Sequence, residues 1–301
     1  MLDDRKFEIE YYAVSDIGRV RSNHEDNVLL PSGDFVKEGE ISKAKTQITY
    51  NGKFVNSSTD FKCFAVADGM GGHNAGEIAS SQIVSMLKKH SSNCQTIDDF
   101  EQLVDKINFT VFELGKAERR HANLGSTLIA AVVSENKIFS VNVGDSRMYL
   151  YGKTGLKRLS HDHTEGQLLI DIGIIKDDKD CLYKMRSSLT RFIGMDKFDA
   201  EKLSCVSEGY DLSSFYFGLL CSDGISNFIS DEQMEELLSK SVGSDLEEAG
   251  NNLLKKAFDV TSNEKAGSDN ATLILFRPVL LDKRSNRKRG LLNRLFRSRG
   301  N

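Results

Sequence analysis

An aspartate followed by closely spaced glycines is the feature of this sequence that most clearly suggests chemistry. Asp68 ends the apolar run KCFAVAD, and four glycines follow within the next eight residues, GMGGHNAG. Glycine lets a backbone approach a bound group closely, so the stretch suits either a phosphate or a cation. A metal-free phosphate loop is the weaker hypothesis, because the stretch lacks the Gly-Lys-Ser/Thr of a P-loop and the G-x-G-x-x-G spacing. A carboxylate at Asp68 would also repel a phosphate, which favours a cation.

Three more aspartates stand in similar places, beside small residues where an apolar run meets a turn. They are Asp145 in VNVGDSRMY, Asp223 in LLCSDGISN and Asp269 in AGSDNATLI. A single aspartate of this kind is usually a structural turn residue. If the apolar runs are adjacent strands of two sheets, however, the four carboxylates converge at one edge and need a counter-charge. Oxygen ligands select Mg²⁺ or Mn²⁺ over Zn²⁺.

The elements that must position these aspartates occur in blocks. Strand-like runs come before two helical stripes, and further strand-like runs follow from Gly125. The stripes have apolar residues at helical spacing, first Ala79, Ile83, Met86 and Leu87, then Phe100, Leu103, Val104, Ile107, Val111 and Leu114. Blocks of strands and helices, rather than a βαβ alternation, predict an α+β domain with antiparallel sheets covered by helices.

Local signals predict where several elements begin and end. Residues 31–60 are polar and rich in turn residues, which predicts a long loop or a hairpin. Pro278 follows the last strand-like run, NATLILFR, and is predicted to end the ordered pattern. Two helices are each predicted to begin with a capping box, Ser230 with Gln233 and Ser244 with Glu247.

The composition of the 301-residue chain is that of a globular protein, with 39% hydrophobic and 28% charged residues. Its longest apolar runs are far shorter than the ~18–20 residues that span a bilayer. The acidic N-terminus MLDDRKFEIE does not resemble a secretory signal. Five scattered cysteines without a C-x-x-C pair argue against a disulfide framework and against a zinc site. The chain is therefore predicted to be cytoplasmic.

The net charge of −4 hides an asymmetry along the chain. Residues 277–301 carry nine Lys and Arg against Asp282 alone, a charge of +8, which leaves −12 on residues 1–276. An acidic body does not suit nucleic-acid binding, whereas it suits cations. Residues 284–299 combine basic side chains with a short apolar stripe. They are interpreted either as an amphipathic helix that contacts an anionic membrane or an acidic partner, or as a solvated, disordered tail.

Seven segments together resemble the metal-dependent PP2C-type (PPM) protein serine/threonine phosphatases, in their bacterial form. The resemblance covers about residues 8–277 and rests on SDIGRVRSNHEDN, VADGMGGHNAGEIAS, GSTL, VNVGDSRMYLY, SHDHT, LCSDGI and GSDNATL. It implies a four-layer α-β-β-α sandwich, in which helices flank two central, mainly antiparallel sheets. The implied organisation is a phosphatase domain at 1–277, with a flap at about 162–200, and a basic tail at 278–301.

The resemblance also implies ligands for two or three divalent cations, Mn²⁺ or Mg²⁺. Asp68 would bridge two metals, and Gly69 would offer its backbone carbonyl to one of them. Asp223 and Asp269 would ligate the first metal, and Asp145 would share a weaker third site with Asp223. In the same comparison, the Asn-Glu-Asp element of the family corresponds to Glu25 and Asp26, which would hold metal-bound waters or touch the second metal.

The catalytic residues implied by the resemblance are Arg21, Asp68 and Asp223. Arg21 would grip the substrate phosphate, a role that suits a guanidinium because it forks onto two oxygens. A water that bridges the metals would attack the phosphorus in line, without a covalent phosphoenzyme. His73 is interpreted as structural, and a metal-bound water is favoured as the acid. The motif SHDHT is expected to tie strands together by hydrogen bonds.

The function implied is removal of phosphate from serine and threonine of proteins, opposite a cognate bacterial Ser/Thr kinase. Cysteine phosphatase chemistry is excluded, because Cys181 and Arg186 are one residue too close for C-x₅-R. The alternative is a catalytically silent PP2C-fold binding module, which is disfavoured because the aspartates expected to hold metal are present. The flap is interpreted either as packing on the body or as a mobile cover that selects substrates and docks through residues 188–194.

Overall fold

The computed structural model describes residues 5–37, 39–56, 61–71, 75–117, 124–176, 185, 187–196, 202–261 and 263–281. Its strands are β1 (Phe7–Asp16), β2 (Asp26–Leu29), β3 (Gln47–Val55), β4 (Lys62–Met70), β5 (Gly125–Ser126), β6 (Leu128–Ser134), β7 (Lys137–Val143), β8 (Arg147–Gly152), β9 (Gly155–Arg158), β10 (Cys205–Val206), β11 (Tyr210–Asp211), β12 (Phe215–Cys221) and β13 (Ala271–Leu280). Its α-helices are α1 (Ala75–His90), α2 (Ile97–Ala117), α3 (Glu165–Asp171), α4 (Asp223–Ser226), α5 (Asp231–Lys240) and α6 (Leu246–Ala257).

The strands form two sheets in which the paired strands run antiparallel. One sheet has the order β3-β1-β13-β12-β8-β9. The other has the order β10-β7-β6-β4-β2, with β11 added to β7 and β5 added to β4. The prediction of an α+β fold with antiparallel sheets is confirmed.

Three apolar layers hold the sheets and helices together. Helices α1 and α2 pack on the seven-stranded sheet, where Ile83 and Val104 are fully buried. The two sheets pack on each other around Phe64 and Phe276, whose rings stack with their centroids 4.9 Å apart. Helices α5 and α6 cover the outer face of the other sheet through residues such as Leu253. Each such side chain contributes about 1.5–3 kcal/mol when it is removed from water. The layers make the predicted four-layer α-β-β-α sandwich.

The predicted helical stripes become the buried faces of α1 and α2. Ala79, Ile83 and Leu87 are fully buried, and so are most apolar positions of the second stripe. Leu114 is the exception, since 37% of it is exposed near the end of α2. Within the described ranges, each helix is too short or too polar to cross a bilayer.

The predicted cap of α6 needs correction. The box Ser230–Gln233 is present at α5, but α6 is capped by Asp245, whose carboxylate accepts from the Glu247 backbone N–H at 2.7 Å. Asp245 competes successfully with the neighbouring serine because a carboxylate is the stronger acceptor at a helix N-terminus.

The last strand continues through Pro278 to Leu280, two residues beyond the predicted end of order. Beyond Phe276, β13 pairs with β1 and no longer with β12 in the described register. A proline is tolerated there because its missing N–H falls on the unpaired side of the strand. Similarly, the polar segment 31–60 contains β3, whose alternating exposure is that of an edge strand.

Candidate metal and phosphate site

A pocket of about 610 Å³ opens where strand ends of both sheets meet. Asp68 lies near the end of β4, Asp145 in the β7–β8 turn, Asp223 directly after β12, and Asp269 shortly before β13. The pocket brings together all seven residues that the resemblance implies for direct metal or phosphate binding, Arg21, Glu25, Asp68, Gly69, Asp145, Asp223 and Asp269. His73, which is interpreted as structural from sequence, lies outside the described residues.

The glycine stretch allows chain segments to touch at the pocket wall. Gly69 packs against the Gly76 carbonyl and lies close to the Glu25 carbonyl, so a Cβ at Gly69 would collide with both. The Gly69 backbone N–H also donates to the Glu25 carbonyl at 3.1 Å. The glycines therefore bring the start of α1 and the segment of Glu25 against the end of β4. Close packing of these chain segments is thus the reason why glycine is needed at positions 69 and 76.

The backbone at Asp68 is fixed by Thr127. The Asp68 N–H donates to Thr127 Oγ1 at 3.0 Å, and the Thr127 N–H donates to the Asp68 carbonyl at 2.8 Å. Ser126 Oγ donates to the same carbonyl at 2.9 Å. These bonds hold the main chain in place and leave the Asp68 carboxylate at the pocket.

Buried carboxylates in and beside the pocket have strongly perturbed proton affinities. Burial, reinforced by the neighbouring carboxylates, raises the pKa of Asp68 and the pKa of Asp145 well above their ordinary range. Burial and the charge of Asp269 raise the pKa of Asp223 to about 6. Like charges held in a site of low polarity favour protonation, and a bound cation removes that penalty. The electrostatics therefore fit a cation site.

Asp26 supplies a second indication of a missing partner. It faces Asp68 across the β2–β4 pair and is 2% exposed. Its Oδ2 accepts from Ser222 Oγ at 2.8 Å, whereas its Oδ1 is buried without a hydrogen-bond partner. Burial raises the pKa of Asp26 to about 7. A buried carboxylate oxygen without a partner is costly, although Asp26 lines a separate small cavity with His24 and Glu77 rather than the carboxylate pocket itself.

The donor set fits divalent cations, but the side chains are not yet arranged around one. Among the residues that the structure describes, no three acidic, histidine or cysteine side chains are already grouped as ligands of one metal ion. Asp269 is engaged by Arg21, and Asp223 Oδ2 accepts from Asn227 Nδ2 at 2.9 Å. Direct metal ligation therefore requires these carboxylates to turn away from their present partners, or to act through water.

Arg21 lies at the pocket with 52% of its side chain exposed. Its Nε and Nη2 contact the two carboxylate oxygens of Asp269 at 2.7 and 2.8 Å. This fork is the geometry with which a guanidinium also binds a phosphate. The hydrogen bond to Asp269 raises the pKa of Arg21. Arg21 is thus charged and accessible, and the two donor atoms that now contact Asp269 are those with which it could bind a phosphate.

Asn270 is a positioning residue that sequence alone does not single out. Its Oδ1 accepts from the Glu25 backbone N–H at 2.8 Å. Its Nδ2 donates to the carbonyls of Ile17 and Asn23 at 2.9 and 3.0 Å. One side chain thereby ties the loop that carries Arg21 and Glu25 to the loop that carries Asp269. The available signal is its place directly after Asp269 in the segment GSDNATL.

The SHDHT motif forms the predicted ties. Arg147 forks onto the buried Asp162, with Nε and Nη2 at 3.0 and 2.6 Å from Oδ2. His163 Nδ1 accepts from the Gly144 N–H at 3.1 Å and so fixes the turn that carries Asp145. Burial lowers the pKa of His163 to about 4, so this ring is neutral and structural near neutral pH.

Part of the predicted flap packs on the body beside the pocket. Ser126 and Ile193 exchange backbone hydrogen bonds of 3.0 and 2.8 Å, and the Gly194 N–H donates to Asn108 Oδ1 at 2.7 Å. Phe192 lies over Gly125 and lines the pocket. The contacts agree with docking through residues 188–194, while residues 177–184, 186 and 197–200 lie outside the described part of the chain.

Comparisons with known proteins agree with the fold. Residues 36–167 match the model of the family Protein phosphatase 2C (PP2C). The chain is 28% identical over 277 residues to the "Serine/threonine phosphatase stp" of Listeria welshimeri, a match that covers 89% of this chain and 96% of that relative.

Two solved phosphatase structures share the architecture. The serine/threonine phosphatase PstP/Ppp of Mycobacterium tuberculosis is 26% identical, with a TM-score of 0.67, and covers 90% of this chain and 98% of its own. The catalytic domain of PstP in complex with two manganese ions is also 26% identical, with a TM-score of 0.65, and covers 90% and 99%. Through the family match, the bacterial relatives and the shared sandwich, this chain is similar to bacterial protein phosphatases of the PP2C type.

Proposed function

We propose that this protein is a metal-dependent phosphatase that hydrolyses phosphoserine and phosphothreonine in proteins. The observation that carries the proposal is the pocket of about 610 Å³, where five carboxylates meet one accessible arginine. Such a pocket suits a dianionic phosphate only if cations lie between the phosphate and the carboxylates. The names of the bacterial relatives support the same activity.

The residues that we assign to two or three Mn²⁺ or Mg²⁺ ions are Asp68, Gly69, Asp223, Asp269, Glu25 and Asp145. The raised pKa values of Asp68, Asp145 and Asp223 support this assignment. When bound, divalent cations supply an activated water and neutralise phosphoryl oxygens. A relative that was solved with two manganese ions makes the same donor chemistry reasonable here.

We assign substrate binding to Arg21. Its guanidinium forks onto two phosphate oxygens in the manner in which it now forks onto Asp269. Asn270 holds the segment before Glu25 and so orients Arg21 relative to the carboxylates. Thr127 and Ser126 fix the Asp68 backbone, so that the Asp68 carboxylate keeps its place while substrate enters.

A catalytically silent PP2C-fold binding module is not favoured. Such a module has no need for carboxylates whose burial and mutual repulsion oppose folding, yet the pocket retains Asp68, Asp223 and Asp269. The proposal further includes a cytoplasmic location and a bacterial Ser/Thr kinase that phosphorylates the same substrates. We also propose a phosphatase domain at 1–277, followed by a basic tail at 278–301. Within that tail, residues 284–299 provide a weak contact for an anionic membrane or an acidic partner.

The activity is tested with a phosphothreonine peptide and the purified full chain. Hydrolysis is expected to stop in EDTA and to return when Mn²⁺ or Mg²⁺ is restored. Hydrolysis that continues in EDTA would contradict the metal requirement. A folded protein without hydrolysis under any metal would support the binding module instead.

A further inference from the structure

A second cavity, of about 690 Å³, lies away from the carboxylate pocket. It is an open groove bordered by α5, α6 and the residues just after α6, the end of β1 and the start of β3, and the described residues that line it are all different from those of the first pocket. Its apolar surface comes from Leu237, Leu254, Phe258 and Val260. Its volume falls in the range of about 300–1,000 Å³ that is usual for small-molecule sites. The cavity is therefore large enough for a ligand that the phosphatase reaction does not use.

Asp16 is a nearly buried carboxylate among the residues that line this cavity. It is 8% exposed, and its Oδ1 accepts from the Gly18 backbone N–H at 2.7 Å. Among the described residues, Oδ2 makes no hydrogen bond or ion pair, although Asp16 lines the cavity. Burial raises the pKa of Asp16, as expected for a carboxylate that lacks a counter-charge. A carboxylate in this setting is stabilised by an added donor or positive charge.

The other charged groups at the cavity do not supply that counter-charge. Lys256 Nζ lies 3.1 Å from Asp259 Oδ2, so these two side chains pair with each other. Lys255 is exposed at the rim, where solvent and salt screen its charge. Among the described residues that line the cavity, Asp16 is therefore a carboxylate without a paired cation, and it lies beside apolar side chains.

We propose that this cavity binds a small molecule with a primary ammonium group on an apolar body. The ammonium group contacts Asp16 Oδ2, and the body lies against Leu254 and Phe258. The charge of the ammonium group is complementary to Asp16, and the apolar body is complementary to Leu254 and Phe258. Pockets usually orient a ligand by this combination of a polar group and apolar surface.

Occupancy of the cavity affects the phosphate-binding loop through Asp16. Gly18, the partner of Asp16, has φ +77° and packs against the Asp269 carbonyl so closely that a Cβ would not fit. The next residue, Arg19, donates its backbone N–H to the Gly267 carbonyl at 2.7 Å. A ligand that draws the Asp16 carboxylate into the cavity weakens its bond to Gly18. The loop that carries Arg21 then loses one of its anchors.

Binding is tested by titrating 2-phenylethylamine into the full chain saturated with Mg²⁺ and following backbone amide NMR signals. The Mg²⁺ occupies the acidic pocket, so that the amine does not accumulate there. We expect a Kd of about 1 mM, typical of a ligand of this size, with shifts at residues 254–260. The neutral analogue 2-phenylethanol should bind about tenfold more weakly, because it lacks the charge.

Asp16→Asn keeps an oxygen for the Gly18 N–H and removes the charge, so it should weaken amine binding about tenfold. Glu248→Gln is the matched control, because it removes one negative charge from α6 outside the cavity, and it should leave the affinity unchanged. Equal affinity for the amine and the alcohol, equal affinity of Asp16→Asn and the unmodified chain, or shifts confined to the carboxylate pocket would each overturn the site. Should Asp16→Asn fail to fold, Val260→Trp fills the cavity from its exposed rim, and retained binding in that variant would overturn the site.

The link to Arg21 rests on the proposed phosphatase function and has a separate readout. At saturating amine, KM for a phosphothreonine peptide should rise about threefold or more in the unmodified chain and stay constant in Asp16→Asn. An unchanged KM in the unmodified chain would overturn the link. Absence of turnover before amine is added would instead refute the phosphatase function and leave the binding result intact.

Discussion

Two groups of buried charged side chains lie on neighbouring turns of this fold, and their charges are balanced in different ways. Beside β8, Asp162 is 7% exposed and is gripped by Arg147, whose Nη1 also donates to Tyr149. In the carboxylate pocket, by contrast, Asp68 and Asp145 lie together, and burial and like charges raise the pKa of both. The first group is complete within the chain. The second lacks a comparable counter-charge among the described residues, which is why we propose the second group as the functional one.

The first prediction concerns the pair of Arg147 and Asp162. Arg147→Met should lower the free energy of unfolding by about 3 kcal/mol, because among the described residues it leaves the buried Asp162 with Arg158, 3.5 Å away, as its remaining ion-pair partner. Urea unfolding measures this change. Replacing both partners, as Arg147→Met with Asp162→Asn, should recover most of the loss. A single variant as stable as the unmodified chain would show that the pair does not hold this turn.

The second prediction concerns the carboxylate group and the pH dependence of the free energy of unfolding. The pKa of Asp223 is raised to about 6 and that of Asp26 to about 7, so both groups favour folding at low pH, where they are protonated. This contribution is lost as pH rises through these values. In metal-free protein we expect these two groups to lower the free energy of unfolding by about 5 kcal/mol between pH 4 and pH 7. Mg²⁺ should largely remove this loss.

Two buried histidines act in the opposite direction in the same range. Burial lowers the pKa of His24 and the pKa of His163 to about 4, so their contribution is present above the ordinary histidine pKa and is lost as pH falls below it. The histidine contribution should be equal with and without Mg²⁺. The difference between the two urea-unfolding profiles therefore isolates the carboxylates, and identical profiles would contradict a cation site among them.

The smallest expected effect concerns Arg21. Arg21→Ala should raise KM for phosphopeptides about tenfold, with a smaller change in kcat, because ground-state phosphate binding is lost. Arg21→Lys keeps the positive charge but cannot contact two phosphate oxygens as a fork. Its KM should therefore lie between that of the unmodified chain and that of Arg21→Ala. Steady-state kinetics distinguish these outcomes. An unchanged KM in Arg21→Ala would remove Arg21 from the phosphate-binding role.

The sequence predicts the meeting of Asp68, Asp145, Asp223 and Asp269 because each stands at the end of a recognisable strand. Periodicity likewise predicts α1 and α2, since their buried faces repeat every three or four residues. Local ambiguity explains the misplaced cap, where Ser244 and Asp245 are adjacent and both can accept a hydrogen bond from the first turn.

The individual side-chain hydrogen bonds between residues distant in the chain could not be predicted. Arg21 and Asp269 are 248 residues apart, and Asn270 bonds to Ile17 from 253 residues away. Asp16 looks like an ordinary strand-end residue until α6 covers it. These features depend on how the two sheets and their helices pack, which no local pattern encodes.

The central claim is that the carboxylate pocket holds cations that catalysis requires. We would measure Mn²⁺ binding by calorimetry, with phosphopeptide turnover, for the unmodified chain, Asp68→Asn and the control Glu248→Gln. The unmodified chain and Glu248→Gln should bind at least two Mn²⁺ and hydrolyse the phosphopeptide. Asp68→Asn should remain folded, lose at least one ion and lose turnover by about 1,000-fold. A folded Asp68→Asn protein that binds Mn²⁺ normally and keeps its turnover would contradict the account.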